Sequence, residues 1–215
     1  MFNLIFFIKK ERWGLTFAGF VVFLTAGTGG FILSVLTVYD FLAVCEPAKA
    51  EILVVEGWVP DQVVQRAVKE FQRNDYKVIV CIGGPIQTGS YLYPFNNFAE
   101  LTYHRLINCG VIDSKIVVIA TEDVRKDRTF QGALAFKKWM DSCAVSTKGI
   151  NIFTLGVHAR RSRLLFQKAL GEDILVGVVG VPDERFETKA WWKSSNGVRV
   201  VVDEIIAYLY ARSGS

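Results

Sequence analysis

Histidine is almost missing from this chain, with two residues in 215, and its four cysteines form no CxxC or Cys/His spacing. A structural zinc site needs four such ligands at short spacing and a thioredoxin-type centre needs paired cysteines, so neither chemistry is supported. Cys81 sits in an apolar run and reads as core. Cys45, Cys109 and Cys143 lie apart from it, and Cys109 can pair with Cys143 only if the fold brings them together in an oxidising compartment. Blocks of like charge are missing too: 25 Lys and Arg oppose 21 Asp and Glu, a net charge of +4 with no basic tract. Nucleic acid is therefore not an expected partner. No ligand spacing favours a metal, and no motif names a cofactor.

Charge is absent over one long stretch. From Trp13 to Tyr39 the chain reads WGLTFAGFVVFLTAGTGGFILSVLTVY, longer than the roughly 20 apolar residues that cross a bilayer and too short to cross twice. A cleaved signal peptide has an apolar region of only about 7 to 15 residues. LAVC at Leu42 to Cys45 resembles a lipoprotein cleavage box, but bulky Val44 precedes the cysteine. The stretch predicts one transmembrane helix. Lys9, Lys10 and Arg12 precede it and only Lys49 follows closely, which predicts a cytoplasmic N-terminus in the plasma (inner) membrane and an extracytoplasmic main domain. The expected division is residues 1–45 as tail and anchor and 46–215 as the folded domain.

After the anchor, continuous apolar runs alternate with helical patterns. The runs are EILVVE (51–56), KVIVCI (77–82), KIVVIA (115–120), INIFTL (150–155) and ILVGVV (174–179). Runs without polar alternation suit parallel strands covered on both faces. Between them, DQVVQRAVKEFQRN, FNNFAELTYHRLIN, TFQGALAFKKWM and RSRLLFQKAL carry helical spacing, and VRVVVDEIIAYLY closes the chain. The order predicts an α/β fold, a doubly wound and mainly parallel five-stranded sheet of Rossmann-like type.

In such sheets the ligand crevice lies beyond the carboxyl ends of the strands. The residues found there are Glu56-Gly57-Trp58, Gly83-Gly84, Thr121-Glu122-Asp123, Asp127-Arg128-Thr129, and Gly156 with His158, Arg160 and Arg161. Arginines at the start of a helix are costly, because the helix dipole there already favours an anion. Arg160 and Arg161 therefore need an anionic ligand, or else Glu56, Asp123 or Asp127 as structural partners. Arg128, again a cation at a helix start, fits a second contact to the same anion, and Asp127 or Thr129 suits the N-cap. Glu56, ending a strand, can serve as general base, hold His158 in one tautomer, or only pair with an arginine. Gly83 and Gly84 allow close backbone approach to a ligand, or mark only a turn. Trp58 either covers the ligand or, the favoured reading, caps the sheet, Arg163 reads as solvent-facing and His104 as a surface or packing residue.

The segments VVEGW, VCIGG, DRTFQGA and TLGVHARRSR, with Arg66 in the first helix and a single N-terminal anchor, resemble the SanA/ElyC/YdcF-like family of bacterial envelope proteins over about residues 50 to 210. The resemblance implies a membrane-anchored α/β domain in cell-wall or surface-polysaccharide assembly, whose site includes His158 and Arg161 together with Glu56, Gly83, Gly84, Asp127 and Thr129. With the convergence of Arg128, Arg160, Arg161 and a helix N-terminus at one rim, the expected ligand is an anionic, phosphate-bearing envelope precursor, lipid-linked or free, with hydrolysis or transfer through Glu56, His158 and Asp127. The alternative is a non-catalytic scaffold docking a membrane protein partner. The chain departs from the family at Glu56-Gly57-Trp58, where many relatives carry a glycine-rich turn, at Gln131 and Gly132, where they carry an acidic residue and an asparagine, and in its tail from Trp191 onward.

Overall fold

The computed structural model describes residues 16–87, 94–124 and 126–214. Trp13 and the flanking Lys9, Lys10 and Arg12, on which the expected orientation rests, lie outside them. The chain divides into two compact units, Met1–Thr37 and Val38–Ser215. The boundary falls inside the first helix, eight residues before the division expected from sequence.

That helix, α1 (Phe17–Leu42), has 26 residues, no acidic residue in its first turn and no basic residue in its last. At 1.5 Å per residue it is about 39 Å long, and it is long and apolar enough to cross a membrane. Its hydroxyls do not stay unpaired: Thr25, Ser34 and Thr37 donate to the carbonyls of Val21, Gly30 and Leu33 at 2.8, 2.9 and 2.8 Å. Hydroxyls returned to the preceding turn cost little in an apolar medium.

The second unit holds a sheet of six strands where five were expected. They are β1 (Cys45–Glu46), β2 (Ile52–Glu56), β3 (Val78–Gly83), β4 (Ile116–Ala120), β5 (Gly149–Leu155) and β6 (Leu175–Val181), in the order β1-β6-β5-β2-β3-β4. The additional strand, β1, runs antiparallel to β6 with Cys45 opposite Val179. Two residues carry no periodicity, so nothing in the sequence distinguishes them from a linker. The other five strands are parallel.

Helices α2 (Asp61–Arg73) and α3 (Phe98–Asn108) cover one face, packing Val64, Val68, Phe71 and Leu106 against Leu53, Val55 and Phe153. Helices α4 (Arg128–Ser142) and α5 (Ala159–Leu170) cover the other, with Phe136, Met140 and Phe166 against Val54, Ile150 and Ile152. All five residues of β2 are buried. The closing helix α6 (Ser195–Ser213) lies on α5, where Lys168 donates to the carbonyl of Ala211 at 2.6 Å. Because β2 pairs with β3 on one side and β5 on the other, the crossovers diverge at its carboxyl end, where a crevice opens. Tyr39, Leu42 and Val44 are buried in this unit, so a domain begun at residue 46 would lose part of its own core.

Candidate functional site

Glu56 ends β2 at the point of divergence, and strand alternation turns its side chain toward α5. A carboxylate buried to 5 % exposure needs compensation, and it has three partners. Thr154 of β5 donates to it, Ser162 of α5 donates to both oxygens at 3.0 Å, and His158 Nε2 stands 3.5 Å from Oε1. Burial works to raise its pKa, but the His158 charge and these hydrogen bonds win, so the carboxyl is held below its ordinary value.

His158 is delivered by a sharp exit from β5. Gly156 has φ 49, a left-handed conformation that only glycine adopts without penalty, and a single 3-10 turn, Gly156–His158, leads into α5. The ring is then held on every side. Nδ1 lies 3.1 Å from Glu204 Oε2, Nε2 lies 3.4 Å from Thr129 Oγ1, and Trp58 meets the ring edge-to-face at 5.0 Å. Burial disfavours the imidazolium and Arg161 repels it, but the Glu56 charge and hydrogen bonds to Glu204 and Glu56 outweigh both. The pKa is pushed up to about 9, so His158 carries its proton at neutral pH.

Glu204 comes from α6 and was not among the residues expected at the site. Arg161 grips it side-on, Nε to Oε1 at 2.6 Å and Nη2 to Oε2 at 3.1 Å. Arg161 Nη2 also approaches His158 Nδ1 at 2.8 Å. With the imidazole protonated both atoms are donors, and Glu204 Oε2 is the acceptor they share. Burial works to raise the Glu204 pKa, but the bonds from His158 and Arg161 overcome it and the carboxyl titrates below its usual range. The sequence does hold a signal: within α6 the buried positions are Gly197, Val201, Glu204, Tyr208 and Ala211. Glu204 is thus a charge on the inward stripe of a helix, where charges are seldom found unpaired.

Glu56, Trp58, Thr129, His158 and Arg161 form one wall of a cavity of about 830 Å³, which is also lined by Gly84, Thr121, Glu122, Asp123, Asp127, Arg128, Phe130 and, from α6, Ala207 and Tyr210. The strand ends thus bring Glu56, Gly83, Gly84, Asp127, Arg128, Thr129, His158 and Arg161 to one cavity. Arg160 is not among them. Its side chain turns away, stacks 4.1 Å over the Phe41 ring and donates to the Phe41 carbonyl. Successive residues on a helix point about 100° apart, and here that step sends Arg160 to Phe41 and Arg161 to Glu204. Arg161 in turn takes its acidic partner from α6 rather than from Glu56, Asp123 or Asp127.

Some of the other expectations are revised and some hold. Asp127 occupies the N-cap position of α4 with φ 54 but makes no side-chain capping bond, which leaves its carboxylate to the cavity. Thr129 turns its hydroxyl to His158. Trp58 lines the cavity as well as ending the sheet. Arg163 does not simply face solvent: its Nε donates to the Val176 carbonyl at 3.0 Å and its guanidinium pairs with Glu46, tying α5 to the β1–β6 edge. His104 packs against Phe95 and Tyr103, with ring centroids 4.6 and 5.0 Å away. All four cysteines are free, Cys109 and Cys143 included. Cys81 is buried, which pushes its thiol up to about 12.

Gly83 owes its identity to α3. A Cβ there would stand 2.7 Å from the Ala99 nitrogen and 2.7 Å from Phe98 Cβ, so strand and helix meet because the side chain is missing. Gly83→Ala is expected to cost about 1 to 3 kcal/mol of stability, as overpacking does, read by denaturant unfolding. A variant of wild-type stability would show that the helix start yields freely. Gly84 is looser, its nearest neighbour being Thr121 Oγ1 at 3.1 Å.

The arrangement can bind an anion and can deliver a proton. The first amides of a helix lack intrahelical acceptors, and the N-terminal turn of α4 presents its amides, Arg128 and Thr129 beside a proton-carrying imidazole. Among the described residues no group of three or more His, Cys, Asp and Glu is arranged to hold a metal ion. No family model matches this chain, and no curated protein is similar to it.

Proposed function

We propose that this is a membrane-anchored cell-envelope protein, akin to the SanA/ElyC/YdcF-like proteins, whose α/β domain binds a phosphate-bearing envelope precursor on the extracytoplasmic side of the plasma membrane. One observation carries the reading: His158, proton-loaded at neutral pH, lines the same cavity as Arg128 and Thr129 on the first turn of α4. A phosphate seated there accepts from helix amides, a hydroxyl and two cationic groups, charge-assisted bonds of the stronger kind. The exposed Glu122 and Asp123 at the rim suit the hydroxyls of a sugar, and Phe130, Leu165 and Tyr210 offer apolar wall for a lipid tail. Hydrolysis or transfer at this site uses His158 as proton donor to the leaving oxygen and Asp127 as acceptor of the proton from the attacking hydroxyl or water.

Arg128 provides the clean test, because it is exposed and no ion pair joins it to another of the described residues. Arg128→Ala is expected to weaken binding of isoprenyl phosphate to the full chain in detergent by about tenfold, with the unliganded melting temperature unchanged. Affinity should also decline as pH rises through about 9, where His158 loses its proton. Absence of binding to isoprenyl phosphate, sugar phosphates and inorganic phosphate alike would remove the basis of this reading.

A second reading has an observation of its own. The charges of His158 and Arg161 are already matched by Glu56 and Glu204, so the network is complete without a ligand. In that case the protein is a non-catalytic scaffold for a membrane partner, and no phosphate probe raises its melting temperature.

A further inference from the structure

Helix α6 is apolar on two sides. Gly197, Val201, Tyr208 and Ala211 point inward around Glu204, while Val198, Val202, Ile206 and Leu209 follow one another at spacings of four, four and three on the opposite side. Ile206, Leu209 and Tyr210 expose 62, 57 and 59 % of their surface. Helices that are apolar all round are ordinarily covered on all sides, and among the described residues nothing covers this stripe.

We infer that the outer face of α6 lies on the surface of the lipid bilayer. The inference rests on reading α1 as a membrane span, and three observations name the occupant. First, Phe41 in the last turn of α1 packs edge-to-face on Tyr208 of α6, with centroids 5.7 Å apart. Phe41 follows Thr37, the last residue of the first unit, by only four residues, so the chain itself tethers Tyr208 close to the end of the apolar span, within about 20 Å. Second, the exposed charged side chains of α6 and of the segment leading into it are largely basic. Lys189, Lys193, Arg199 and Arg212 outnumber Glu187 and Asp203, which suits anionic lipid. Third, Tyr210 on α6 and Trp192, three residues before the helix begins, are both exposed, and such amphipathic rings favour the membrane interface. Tyr210 also lines the cavity, so lipid-borne ligand at the bilayer surface reaches the site along this helix.

The test uses the full chain with Cys45, Cys109 and Cys143 replaced by serine, an environment-sensitive fluorophore on Ile206→Cys, and vesicles of phosphatidylethanolamine and phosphatidylglycerol containing a spin-labelled quencher lipid. Emission at position 206 is expected to fall about twofold or more with quencher lipid, as an interfacial residue's should, while the same label on Lys69→Cys of α2 is unaffected. Adding Val202→Asp and Leu209→Asp should abolish the quenching at 206. A label on Leu24→Cys separates the two readings. Quenching at 24 without quenching at 206 overturns this inference and leaves the span intact. Quenching at neither position overturns both. Protection of 206 from quencher lipid and from aqueous iodide, with energy transfer between differently labelled copies, assigns the stripe to a second copy of the chain and equally overturns the inference.

Discussion

Replacing Arg161 with alanine is expected to lower the unfolding free energy by about 3 to 5 kcal/mol, the usual cost of leaving one member of a buried ion pair without its partner. Glu204 is 7 % exposed and takes two bonds from the guanidinium. Without them it retains only His158, through Nδ1, while the other ring nitrogen faces Glu56. Denaturant unfolding of the full chain in detergent reads the effect. The double replacement Arg161→Met with Glu204→Leu should recover most of the loss, since exchanging a whole buried pair for apolar side chains of similar volume is often neutral. A single variant within about 0.5 kcal/mol of wild type, the range of ordinary surface substitutions, would mean that α6 is not fastened to α5 through this pair. The same variant bears on function, because Glu204 orients the ring of His158. If the pair positions the imidazole, the single substitution weakens phosphate binding along with the fold.

Stability should also fall by about 3 kcal/mol as pH rises from 6.5 toward 9, the loss expected when one group binds its proton more tightly in the folded state than in the unfolded one. His158 is that group: its folded pKa is about 9 against an ordinary 6.5. A raised value means that the contribution is fully present below about 6.5 and disappears as pH climbs through the folded value. Glu56 and Glu204 have lowered values and act in the opposite direction, their contribution holding above about 4.5 and fading as pH drops through the folded values. A plateau between those limits follows. Urea unfolding at about pH 6 and about pH 8.5 isolates the histidine limb, because the upper point stays below the ordinary Cys81 value of 9.0. His158→Gln should flatten that limb. A wild-type profile that is level from about pH 6 to 8.5 would show that folding leaves the imidazole at its ordinary value of 6.5, so that it is largely neutral above that pH, and would remove the proton donor from the proposed chemistry.

The sequence by itself determined the order of the five parallel strands and the helices between them, because strands covered on both faces must be apolar throughout and their runs stand out from helical spacing. It determined that α1 is long and apolar enough to span a membrane. It also placed Glu56 and His158 at one rim, since both follow strands whose carboxyl ends share an edge of the sheet. Tertiary structure alone decided what those residues do. Glu204 reaches His158 and Arg161 from more than 40 residues away, through the docking of α6 on α5, and no local pattern records which helix faces which. Arg160 and Arg161 are indistinguishable as neighbours in the chain, yet the turn of the helix sends one to Phe41 and the other to Glu204. β1 exists only because β6 offers an unpaired edge beside it. Local sequence carries propensity and periodicity, whereas side-chain charge takes its meaning from whatever opposes it across the packed interior, and only the completed fold supplies that partner.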